Sequence, residues 1–119
     1  SEWCLRAAEL NILTAEFRGL DAGDADAVRA ALAGILTRID AIEAVVPDAL
    51  ATDLTVSADA FRLLDAALAA SGYDFAAADL GELDARTDAI AAANARIRTY
   101  NHDVCGLDAG LTGDEEHVP

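Results

Sequence analysis

Apolar side chains recur at steps of three and four along most of the chain, the spacing that places them on one face of a helix. Trp3, Ala7, Leu10, Leu13 and Phe17 predict a first helix over residues 3–17. Arg18, Gly19, Leu20, Asp21, Ala22 and Gly23 interrupt the period with two glycines, so the stretch reads as a loop. Asp24 or Asp26 then supplies a carboxylate able to cap the next helix. The second helix carries the clearest stripe: Val28, Leu32, Ile35, Ile39, Ile42 and Val46 alternate steps of four and three, as in a bundle seam. Pro47 constrains the residue before it and lacks an amide hydrogen, so the helix is expected to end there and Pro47-Asp48 to open the next one.

The third helix is expected over residues 48–71, with Leu50, Leu54, Phe61, Leu64 and Leu68 on one face, Val56 and Leu63 off it, and Gly72 as a left-handed stop. Tyr73, Asp74 and Phe75 follow in a loop. A fourth helix, beginning near Asp79 or Gly81, places Leu83, Ile90, Ile97 and Val104 at intervals of seven, with Ala93 and Tyr100 at intermediate steps. Cys105 falls in its last turn and Gly106 can end it. Residues 107–119, with three consecutive acids and no apolar period, read as a loose acidic tail.

Four amphipathic helices with short joints predict an all-α, antiparallel up-down-up-down four-helix bundle over residues 1–106. In that topology the start of the first helix and the end of the last lie together. The only two cysteines, Cys4 and Cys105, follow the seam positions Trp3 and Val104 at those two places. A disulfide joining the first and last helices is the prediction, and closing a loop of about 100 residues would add up to about 4.7 kcal/mol of stability in the chain-entropy treatment. Such bonds are rare in reducing cytosol, so the pair points to an extracytoplasmic protein, secreted or anchored through a signal or lipid-bearing segment upstream of Ser1 and Glu2.

Composition narrows the choice of partner. The chain has 119 residues, enough for one core, and its 54% hydrophobic content rests largely on alanine, which favours closely packed helices over strands. Twenty-two acids against eight arginines give a net charge of −14, which argues against nucleic acid and anionic membranes as partners. The same acidity fits a solvated surface or adaptation to salt. No apolar run is long enough to span a bilayer, so no transmembrane segment is expected.

Candidate chemistry is sparse. His102 with Cys4 and Cys105 offers too few ligands for a structural metal site. A carboxylate-bridged site would need Glu-x-x-His, but Thr99 stands three residues before His102, and His117 lies in the tail. Asp21, Asp24 and Asp26 lack the order of a calcium loop. Asp84 and Asp88 read as a solvated face, no nucleophile–base motif is present, and Arg96 or Arg98 would matter to catalysis only in a deep acidic cleft. No catalytic residue, cofactor or metal is expected. Asn94 and Asn101, seven apart, either specify register or bind something polar inside the seam, or line its solvent edge; the edge is the simpler reading. Away from the cysteines, Arg18 and Leu20 in one loop and Tyr73 and Phe75 in another are a candidate interaction surface, although the simpler reading is that the aromatic rings plug the open end.

The segments WCLRAAEL, AVRAALAGI, VVPDALATDLTVSADAFRLLDAAL with GYDF, and ARIRTYNHDVCG together resemble a family of small helical domains exported by high-GC Gram-positive (actinobacterial) bacteria, often as lipoproteins. The likeness rests on Trp3 and Cys4, on Pro47, Asp48, Ala49 and Leu50, where Ala49-Leu50 replaces an expected Glu-Ile, and on Tyr100, Cys105 and Gly106. The resemblance implies export and a disulfide, and it supplies no activity. The expectation is a non-enzymatic domain that interacts with a protein or cell-envelope component. The alternative is a carrier or sensor holding a small ligand between its helices, which a closed cavity between the seams of the second and fourth helices would favour.

Overall fold

A computed structural model describes residues 1–107; the tail from residue 108 onward, His117 included, lies outside the described residues. Five α-helices make up the fold: α1 (Glu2–Arg18), α2 (Ala25–Glu43), α3 (Ala51–Ala70), α4 (Gly81–Ala85) and α5 (Thr87–Tyr100). A 3-10 turn, Asp48–Leu50, leads into α3, and a π-helical turn, Asn101–Cys105, follows α5. There is no strand among the described residues.

Each boundary has a local cause. The Ser1 side chain accepts the Cys4 amide and caps α1, while Asp24 caps α2 by accepting the Ala27 amide at 3.1 Å. Helix α2 ends at Glu43, three residues short of the expected Val46. Pro47 is extended at φ −63° and ψ 146°, and the last turn before it unwinds, although Val45 and Val46 still pack on the core. Gly72 and Gly106 take the left-handed conformation at φ 67° and 70°, the two places where the chain leaves α3 and the π turn.

The apolar stripes meet in two clusters. Trp3, Ala7 and Leu10 of α1 join Ile35, Ile39 and Ile42 of α2, Leu50, Leu54 and Ala58 around α3, and Ile97 of α5. A smaller cluster holds Val28, Leu32 and Leu68, with Phe17, Leu64, Tyr73, Phe75 and Ala78 packed against it. In space α1 packs on α2, α2 on α3, α3 on α5, and the π turn returns to α1.

The last quarter of the chain departs from the predicted single helix. Arg86 leaves helical geometry at φ −104° and ψ 6°, and the Thr87 hydroxyl donates to the Asp84 carbonyl, separating α4 from α5. Farther on, the π turn's wider hydrogen-bond spacing underwinds the backbone, so the sevenfold repeat fails after Ile97. Val104, expected in the core, is 57% exposed, while Asn101 takes its place fully buried. Leu107, expected in the tail, packs against the larger cluster beside Cys105.

Candidate interaction site

The fold has a chemically closed end. Cys4 and Cys105 form a disulfide with their Cα atoms 5.4 Å apart, linking α1 to the π turn. Trp3, beside Cys4, donates its indole N–H to the Asn101 side-chain oxygen at 2.8 Å, within the buried core. An indole can only donate, so the bond fixes which side-chain atom of Asn101 faces Trp3 and leaves the amide nitrogen buried without a partner. Tyr100 meets the Trp3 ring edge to face, with centroids 6.5 Å apart. Both sequence-marked asparagines are buried, Asn94 at 5% and Asn101 at 0% exposure, which overturns the solvent-edge reading. Their spacing had signalled a shared helix face. It carried no sign that a π turn would bring Asn101 to the indole.

The arginines tie helices together. Arg96 of α5 grips Asp53 of α3 through Nε at 2.9 and 3.0 Å and a terminal nitrogen at 2.8 Å. Arg62 of α3 reaches Glu43 at 2.6 Å and Asp40 at 3.3 Å, both on α2, as well as Asp59 on its own helix. The Glu43 hydrogen bond leads the influences that raise the Arg62 pKa; burial opposes it. Arg38 of α2 approaches Glu9 of α1 at 3.8 Å. Arg96, which would have served a catalytic reading, is thus committed to an interhelical pair.

The other candidate groups are used locally. Asp21 accepts the Gly23 amide, Asp24 caps α2, and Asp26 pairs with Arg29 at 2.8 Å. Asp84 and Asp88 fall on opposite sides of the Arg86 break and are exposed. His102 lies 3.1 Å from Asp103. Among the described residues, no group of three or more His, Cys, Asp or Glu side chains is placed to hold a metal ion.

At the loop end, Phe17, Arg18, Leu20, Ala22, Val28 and Phe75 line a cleft of about 190 Å³. Three of the four residues marked in the sequence therefore meet in one depression, Phe75 arriving from a distant loop. The rings of Phe17 and Phe75 lie 6.4 Å apart. Tyr73, the fourth, is elsewhere. It packs on the smaller cluster, donates its hydroxyl to Asp65 at 2.9 Å, and lies beneath the Arg29 guanidinium, 5.9 Å from the ring centre. Its φ of 64° is unusual for a bulky residue, and these side-chain interactions hold it there. Phe17 and Phe75 thus pack against the smaller cluster and wall an open cleft.

The Asp65 hydrogen bond raises the Tyr73 pKa, with burial and the Asp65 charge adding to it and Arg29 opposing. A folded pKa above the unfolded value means that the bond stabilises the fold below the ordinary phenol range, near pH 10, and ceases to do so as pH rises through the folded pKa. In a Tyr100→Phe variant, which leaves one tyrosine, phenolate absorbance is expected to appear above that range. Adding Asp65→Asn is expected to lower the midpoint. A midpoint unmoved by that change would contradict the assignment.

No family model, curated protein or solved structure matches this chain.

Proposed function

We propose that the chain is a non-enzymatic, extracytoplasmic helical domain that binds a protein or cell-envelope component through the loop-end cleft. The observation that carries this reading is the meeting of Arg18, Leu20 and Phe75 in one depression, backed by Phe17 and Val28. Aromatic and arginine side chains around an apolar hollow are the make-up of a protein-binding hot spot, in which a partner's apolar side chain loses its water. The Cys4–Cys105 bond and the resemblance to exported actinobacterial domains support the compartment, as a secreted or lipid-anchored protein. Among the described residues, no helix is long and apolar enough to cross a membrane, so an anchor would come from another segment.

The order of packing, from α1 through α2 and α3 to α5 and back by the π turn, supports an antiparallel up-down-up-down bundle in which α4 and α5 share the place of a fourth helix. Ile35, Ile39 and Ile42 of α2 and Ile97 of α5 belong to one core cluster, all at 0% exposure, which favours an interaction domain over a carrier with its ligand between those two helices.

A photo-crosslinker at exposed Ala22, presented to a native envelope extract, is expected to capture a discrete component. Leu20→Asp puts a charge in place of an apolar side chain on the cleft wall and is expected to abolish that capture without unfolding the domain. An identical crosslinking pattern from the two proteins would overturn the proposal.

A further inference from the structure

A second depression lies between α3 and the α4–α5 segment, where the predicted seam of the last helix fails to close. Ser57, Ala60, Phe61 and Leu64 of α3, Leu83 of α4 and Ile90 of α5 line a cleft of about 180 Å³. Its origin is visible in the pattern. Leu83 and Ile90 keep the sevenfold spacing of a core stripe, but the break at Arg86 separates them onto two helices. They and the facing Phe61 and Leu64 remain half-buried instead of closing over one another.

Five of the six lining residues are apolar. The sixth, Ser57, is only 3% exposed, and its hydroxyl oxygen has no hydrogen-bond partner. A buried hydroxyl without a partner carries a desolvation cost, so a polar atom delivered to it from the cleft would relieve an existing penalty. An apolar cavity of about 150 Å³ is large enough to hold benzene. The cleft therefore has room for one small ring or a short branched alkyl group, with one polar atom at its inner end.

We propose that this cleft binds a small apolar molecule bearing a single hydroxyl, of the size of a phenol, through hydrophobic contact with Phe61, Leu64, Leu83 and Ile90 and a hydrogen bond to Ser57 Oγ. The site is separate from the loop-end cleft, shares no lining residue with it, and stands whether or not a protein partner binds there.

Titration of the isotopically labelled full chain with phenol, and separately with toluene, tests it by NMR. Both ligands are expected to shift the amides around Ser57, Phe61, Leu83 and Ile90 saturably. Ser57→Ala is expected to weaken phenol roughly five- to tenfold, the worth of one hydrogen bond, and to leave toluene unchanged. Ala60→Leu, which fills the cleft from a half-buried helical position and keeps helix propensity, is expected to abolish binding of both. Absence of saturable shifts at the lining residues, or shifts that persist in Ala60→Leu, would overturn the site. Equal weakening of phenol and toluene by Ser57→Ala would overturn the role given to the hydroxyl.

Discussion

Replacing Cys4 and Cys105 together by alanine lowers the thermal unfolding midpoint by roughly 15–25 °C. The bond spans a sequence separation of 101, so it restricts nearly the whole unfolded chain. In the chain-entropy treatment a loop of that size contributes about 4.7 kcal/mol, and each kcal/mol moves the midpoint of a domain this size by about 3–5 °C. Against a total stability of about 5–15 kcal/mol the loss is large. It is larger still in proportion for a core whose α3 and α5 contribute small buried residues such as Ala58 and Ala93. Calorimetry of the double variant checks the figure. Thiol titration of denatured, unreduced protein checks its premise, since two reactive thiols per chain would contradict the bond.

Asn101→Leu is expected to cost about 1–3 kcal/mol, because it leaves the Trp3 indole N–H buried with no acceptor. The substitution also removes the amide nitrogen that already lacks a partner, which keeps the cost below that of an ordinary buried hydrogen-bonded pair. Trp3→Phe alone strands the Asn101 oxygen and withdraws ring area from the Tyr100 contact. Combining the two changes removes both members of the bond. The double variant is therefore expected to be more stable, by about 0.5–3 kcal/mol, than the sum of the single losses would make it. Urea midpoints of the four proteins in the cycle measure this directly. Strict additivity would mean that the hydrogen bond contributes nothing.

The consequence for function is a division of labour along the molecule. One end is held by a disulfide, a buried hydrogen bond and an aromatic pair, and it offers Val104 and Leu5 to solvent. At the loop end and in the side cleft under α4, large apolar residues remain half-buried around open space. Both clefts lie beside interruptions of the helices, at residues 19–24, 71–80 and 86.

Much of this was legible in the residues. The α2 stripe from Val28 to Ile42 is buried at every predicted position, because an uninterrupted helix preserves its period. Cys4 and Cys105 could be paired from their places beside the predicted seams. Gly72 and Gly106 mark real left-handed stops. The same reasoning failed where the backbone leaves ideal α geometry. A period of seven projected through Arg86 and the π turn put Leu83, Ile90 and Val104 into the core, and only a register change that no single residue announces moves Val104 out and Asn101 in. The Arg96–Asp53 and Arg62–Glu43 pairs join residues 43 and 19 positions apart, and charge patterning along one helix cannot reveal them. Of the four loop residues, Arg18, Leu20 and Phe75 line one cleft, while Tyr73 donates its hydroxyl to Asp65.

The closed end rests on the Trp3–Asn101 bond, and Trp3 is the only tryptophan, so one resonance reports on it. Hydrogen exchange of that indole N–H, followed by NMR, is the most direct measurement. Exchange as slow as that of the best protected core amides, and markedly faster in Asn101→Leu, is the predicted result. Exchange at the rate of a solvent-exposed indole would contradict the account.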